Sequence, residues 1–275
     1  MVIIKFMNNR LPEVLVPALE SYIFQVNEQL PGFLEAFYIV GSIALDEFNP
    51  LFSDVDFIAV TSHLATEHES KILYEIHQKV ETTYPHWKLS GVYLLPSDLG
   101  KLSREIGERI IFHDGKLDLQ SDFEANPVTW WILKNGGIPV IGSDPHELPI
   151  AVDEHYLVTW TVGNMNTYWK GWTRQPGKLL TMLSDWGIQW AVLGVARQFY
   201  TIREKKVITK QRSGEYALTV VPEKWHHILK EAIRLRTKSP NPLYRSRFIR
   251  LLDAVNFMKY IFGVSSAHLR NERLF

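Results

Sequence analysis

The chain has no cysteine in 275 residues. That excludes a disulfide scaffold, a thiolate zinc site and a cysteine nucleophile. It has no run of about eighteen apolar residues, so no membrane span is expected. The N-terminal stretch MVIIKFMNNR lacks a basic region followed by a long apolar one, so no signal peptide is expected either. Net charge is also lacking: 30 Lys and Arg balance 30 Asp and Glu. With 46% hydrophobic residues, the chain is too apolar and too balanced to be disordered. A soluble cytoplasmic protein of two modest domains is the expectation.

The zero net charge conceals a division. Residues 1–150 carry 10 basic and 21 acidic side chains, and residues 151–275 carry 20 and 9. The halves are therefore −11 and +11. An acidic half suits a divalent cation and a basic half suits phosphates. Mutual attraction of the halves is the plainer reading of the same numbers.

Periodicity separates the halves as well. Apolar residues at helical spacing predict a helix over 11–30, broken by Pro31-Gly32. Short apolar runs predict strands at 36–40, 54–60 and 89–95, with a helix over 66–83 between the second and third. Helix or loop is expected to about 125. A further helix begins at Asn126-Pro127, and a short strand covers 138–142. The turn cluster from Gly142 to Pro149 marks the boundary. Beyond it, long helical patterns run over 153–171, 177–203, 222–238 and 243–261. The expected fold is α+β: a mixed sheet with flanking helices over 1–150, then an all-α bundle over 151–275.

Chemistry concentrates between residues 40 and 60. A strand ends in Gly41-Ser42, a turn-rich crossing follows, and Ser53-Asp54-Val55-Asp56 enters a second apolar strand. Gly41 permits close approach of the backbone. Ser42 offers a hydroxyl and an N–H to phosphate oxygens. Asp54 and Asp56 are two residues apart on a strand, so both face one way. Two adjacent carboxylates repel unless a cation lies between them. Mg²⁺ fits, because it prefers one or two carboxylates with substrate phosphates. Either half of this pattern alone is usually a turn or a solvated strand edge.

Strand, Gly-Ser, about ten residues and Ser-Asp-x-Asp together resemble the signature of the DNA polymerase β-like nucleotidyltransferase superfamily. The whole chain resembles the aminoglycoside adenylyltransferases that modify streptomycin and spectinomycin. The segments carrying that resemblance are 126–144, Val192 to Tyr200, Lys206 to Lys210 and Trp225 to Leu229. The resemblance implies an N-terminal nucleotidyltransferase domain and a helical C-terminal domain. It implies that Asp54 and Asp56 bind Mg²⁺, and that Gly41, Ser42 and Ser53 adjoin the phosphates of a nucleoside triphosphate, ATP. Arg197 matches an arginine that reaches the nucleotide, and Lys210 a phosphate-binding lysine. Phe257 stands where the family has a nucleotide-contacting tyrosine. The activity implied is transfer of a nucleoside monophosphate to a hydroxyl of a small-molecule acceptor, with release of pyrophosphate.

The sequence departs from that family at two places. The family's third carboxylate, the general base, belongs on the strand Lys88 to Leu95, where Ser90 stands instead. Serine is not a base near neutral pH. Asp98 lies beyond the strand, and His113 and Asp114 lie further along, so the base is unassigned. The acids expected for a cationic acceptor are reduced to Asp185, in a strongly basic half. Trp160, Trp169, Trp172 and Trp186 either wall a pocket or, as is commoner at helical spacing, fill a core. A non-catalytic nucleotide-binding protein on the same scaffold is the alternative reading. A nucleic-acid partner has no RNA-binding signature behind it.

Overall fold

The computed structural model describes residues 10–50, 53–120 and 125–272. The chain divides into two compact units, Met1–Val152 and Asp153–Phe275.

The first unit is built on a six-stranded sheet. In chain order its elements are α1 (Val16–Gln29), β1 (Leu34–Ile39), α2 (Gly41–Ala44), β2 (Val55–Thr61), α3 (Glu67–Thr83), β3 (Leu89–Leu94), α4 (Ser103–Ile106), β4 (Arg109–His113), β5 (Lys116–Gln120), α5 (Pro127–Gly136) and β6 (Ile138–Ile141). The strand order is β5-β4-β3-β2-β1-β6. Only β2 and β3 run parallel, and α3 supplies their crossover; the other pairs are antiparallel.

Alternation along the strands sorts the two faces. Phe37 and Ile39 of β1, Val55, Phe57 and Ala59 of β2, Tyr93 of β3 and Phe112 of β4 share a core with Tyr22, Ile23 and Val26 of α1 and Leu73, Ile76 and Val80 of α3. The intervening residues, Asp56, Ser90 and His113 among them, belong to the other face. A capping box starts α3: Glu69 N–H donates to Thr66 Oγ1 (3.2 Å), and Thr66 N–H donates to Glu69 Oε2 (2.8 Å). Asn126 caps α5 by accepting from Val128 N–H at 2.9 Å.

The second unit is helical: α6 (Glu154–Asn164), a π-helical turn over Met165–Trp169, α7 (Lys170–Trp172), α8 (Pro176–Thr181), α9 (Asp185–Glu204), α10 (Lys210–Val220), α11 (His226–Arg236) and α12 (Arg247–Glu272). Helix α9 is central, and its Ile188, Ala191, Val192, Val195, Ala196, Phe199 and Ile202 are buried in the unit's core. The helix expected over 177–203 is two helices. Ser184 separates them, accepting from Gly187 N–H at 3.0 Å to cap α9.

Two elements depart from expectation. The stretch read as helix or loop to about 125 contains the hairpin β4–β5. No element is expected between 203 and 222, and α10 forms there, capped by Thr209. No helix among the described residues is long and apolar enough to cross a membrane.

Candidate active site

Antiparallel pairing brings the end of β1 beside the start of β2. Val40 N–H donates to Asp56 O at 2.9 Å, closing the ladder where the chain turns into α2. Gly41 follows with φ +64°, in the left-handed region that favours glycine. The reason for glycine is also spatial. A Cβ on residue 41 would lie 1.9 Å from Asp56 Oδ2 and 2.6 Å from Asp56 Cγ. The Asp56 carboxylate therefore occupies the space that any other side chain would need.

Asp54 lies one residue before β2 and is exposed, while Asp56 is on the strand and half-buried. The expected strand thus begins one residue late, at Val55, whose N–H donates to Lys88 O at 2.8 Å. Ser42 is half-buried in the first turn of α2. Ser53 is buried, and its Oγ accepts from Asn49 N–H at 3.1 Å, fastening the crossing loop. The site therefore offers two carboxylates at the mouth of β2, with Ser53 directly before them in sequence and Ser42 in the turn that follows β1. Among the described residues, no group of three or more His, Cys, Asp or Glu side chains is arranged to hold a metal. Two oxygen ligands suit Mg²⁺, which completes its coordination with phosphates and water.

Glu81, near the end of α3, is an acid that sequence reasoning did not single out. Burial pushes its carboxyl pKa up, Lys88 opposes this, and Asp54 and Asp114 raise it further. It adds a third negative group to the field around Asp54, from the helix side of the sheet. Nothing in its own helix spacing marks it; only the fold brings it there.

Two strand pairings fix the neighbours of Ser90. The parallel register places Ser90 opposite Asp56. The register of Gly91 with Phe112 then brings Ser90 to His113, and Ser90 Oγ and His113 Nδ1 are 2.8 Å apart. Asp114 Oδ2 lies 3.4 Å from His113 Nε2. Asp98 is not a free base. It is buried, accepts two hydrogen bonds from the Arg109 guanidinium (2.8 and 3.0 Å) and accepts Leu95 N–H at 2.9 Å.

Arg197, Lys210 and Phe257 belong to the second unit. Arg197 is half-buried on α9. Lys210 opens α10, with Nζ 3.9 Å from the centroid of the Trp190 ring, a cation–π contact. Phe257 is 0% exposed in the helical core, with its ring edge-on to Trp225. The resemblance implied a nucleotide contact at this position, and here the ring is packed within that core. Asp185 is likewise committed: its Oδ1 accepts from Arg250 Nη1 at 2.7 Å. Arg250 also reaches the fully buried Glu231, which is held by Arg234 through a bidentate pair at 2.8 and 3.0 Å. Of the tryptophans, Trp169 and Trp172 are core and Trp160 is half-buried. Trp186 is exposed and stacked on Trp190, with centroids 5.3 Å apart.

Comparison with known proteins fits this division. Residues 164–260 match the family model of the aminoglycoside adenylyltransferase C-terminal domain. Among solved structures, the chain resembles the spectinomycin adenyltransferase AAD(9) from Enterococcus faecialis, solved with ATP and spectinomycin. The identity is 15% and the TM-score 0.63, over 89% of this chain and 99% of that one. No curated protein matches the sequence. The likeness to that structure is one of fold: a sheet unit followed by a helical unit. Over the matched residues of its second unit, the chain is similar to the aminoglycoside adenylyltransferases.

Proposed function

We infer that the protein transfers AMP from ATP to a hydroxyl of a small-molecule acceptor and releases pyrophosphate. The observation that carries this reading is the built approach of Asp56 to Gly41, beside Asp54 at the mouth of β2. A carboxylate packed where residue 41 has no room for a side chain is an expensive arrangement for a solvated strand edge. It is an ordinary one for a phosphate-and-metal site. The crystallised neighbour's ATP and spectinomycin support a nucleotide and a small-molecule acceptor as ligands.

Asp54 and Asp56 would hold Mg²⁺, which when bound neutralises charge on the triphosphate. Ser53 directly precedes these acids, Ser42 opens α2 after Gly41, and both are assigned to phosphate contacts through the family resemblance. Arg197 and Lys210 are assigned to the nucleotide through the family resemblance. The acceptor oxygen attacks the α-phosphorus, and the bond from that phosphorus to the β-phosphate's bridging oxygen breaks. An acceptor held with its hydroxyl in line gains most of its rate from that positioning.

The test is pyrophosphate release from ATP and Mg²⁺ with spectinomycin or streptomycin as acceptor. We expect acceptor-dependent release, reduced at least 100-fold in Asp56→Ala, an effect of the size seen when one charge-stabilising group is removed. Equal release by the wild-type chain and Asp56→Ala would remove the assignment. Nucleotide binding without release for any acceptor would favour the non-catalytic reading, which the loss of the third carboxylate otherwise motivates.

A further inference from the structure

Resting on that reading, the geometry points to a proton relay, Ser90–His113–Asp114, in place of the absent third carboxylate. Ser90 takes the proton of the acceptor hydroxyl as it passes its own to His113 Nδ1.

Three neighbouring strands build it. Asp56 on β2, Ser90 on β3 and His113 on β4 occupy consecutive ladder positions on one face. With strands about 4.8 Å apart, His113 stands two strands, or about 10 Å, from Asp56 along the sheet. That is too far for direct contact with a hydroxyl held at the Asp56 site, and Ser90 occupies the interval. Its Oγ is within hydrogen-bond distance of His113 Nδ1, at 2.8 Å.

His113 is held in place by its turn. It pairs with Lys116 across Asp114-Gly115, both with positive φ (50° and 73°). That is the two-residue type I′ hairpin, whose twist matches the flanking strands. Gln78 Nε2 of α3 donates to Gly115 O at 2.9 Å and ties the turn to the helix beneath. Asp114 Oδ2, 3.4 Å from Nε2, faces the nitrogen whose positive charge would grow. Glu81 adds negative potential behind Asp114. A surface contact of this kind contributes little to stability.

The step balances as follows. The acceptor O–H bond breaks, its oxygen bonds to the α-phosphorus, and pyrophosphate leaves with the electron pair of the broken P–O bond. The acceptor proton moves to Ser90 Oγ, and the Ser90 proton moves to His113 Nδ1. The imidazolium then returns its proton to solvent, to which the His113 side chain is 59% exposed.

Two readouts on the full chain test this. The first needs no acceptor: ¹⁵N NMR of the histidine-labelled protein, with His113→Gln identifying the ring among ten histidines. The relay requires the Nε2–H tautomer, with a bare Nδ1 whose resonance moves in Ser90→Ala. An Nδ1–H tautomer, or a resonance that Ser90→Ala leaves in place, would overturn it. The second is turnover with spectinomycin or streptomycin. His113→Ala and Ser90→Ala should each lose about 10²–10⁴-fold in kcat, with KM for ATP unchanged. Added imidazole should restore His113→Ala in part, and so should Ser90→Asp placed in the His113→Ala background, whereas neither should restore Asp56→Ala. Full activity of His113→Ala, or AMP found covalently on Ser90, would overturn the relay while leaving adenylyl transfer intact. Loss of Mg²⁺-dependent ATP binding by the wild-type chain would instead sink the functional reading, and the relay with it.

Discussion

His77 shows how far a single side chain can be taken from its ordinary behaviour. It is fully buried on α3, its ring stacked on Phe112 with centroids 3.7 Å apart. Its Nε2 lies 2.6 Å from the Tyr93 hydroxyl, which in turn meets the Tyr22 hydroxyl. Burial lowers its pKa to about 3 from a usual 6.5. The folded chain therefore holds His77 neutral between those values, where the unfolded chain protonates it. More protons bound in the unfolded state means stability that rises with pH, so stability is lost as pH falls from about 6.5 towards 3. The loss is of the order of a few kcal/mol over that window. Urea midpoints followed from pH 7 to pH 4 should fall less steeply for His77→Phe than for the wild-type chain. Equal slopes would show that His77 does not govern acid sensitivity. This residue also marks a limit of sequence reading. One polar position in an amphipathic helix says nothing about the two tyrosines that meet it.

At the scale of elements, the junction of β1, α2 and β2 makes the sharpest demand. Gly41 adopts φ +64° and has no room for a Cβ. Gly41→Ala should therefore displace the Asp56 carboxylate and weaken Mg²⁺-dependent ATP binding at least 10-fold. It should also cost about 1–2 kcal/mol of stability from the strained conformation alone. Binding assays and unfolding curves of that variant check both effects; unchanged binding would show that Asp56 need not sit against the glycine. This junction was legible in the sequence, because Gly-Ser after an apolar run and Asp-x-Asp before another are local signals. The central strands and α3 were legible for the same reason. The β4–β5 hairpin was not, although Asp114-Gly115 between Ile110-Ile111-Phe112-His113 and Lys116-Leu117-Asp118-Leu119 is a recognised hairpin signal. Missing it hid the partner of Ser90, because strand pairing, not chain proximity, brings residue 113 to residue 90. Helix α10 was missed for another reason. Its first six residues, Lys210 to Glu215, hold no apolar side chain, so no periodicity marks its start.

At the scale of the molecule, the division of charge follows the division of architecture. The acidic half contains the sheet unit with Asp54 and Asp56, and the basic half contains the helical unit with Arg197 and Lys210. Within the helical unit, part of the positive charge is structural: Arg234 and Arg250 close on the buried Glu231 and on Asp185. That network engages Asp185 through Oδ1, while its side chain stays 63% exposed. It could not be read from the sequence, since the four residues span positions 185–250 and meet only through helix packing. The sheet unit's carboxylates decide the proposed function, and calorimetric titration of ATP into the full chain probes them. The titration is run with and without Mg²⁺, and repeated on Asp56→Ala. We expect saturable binding that requires Mg²⁺ and is lost in the variant. Binding of equal strength in all four conditions, or none in any, would contradict it.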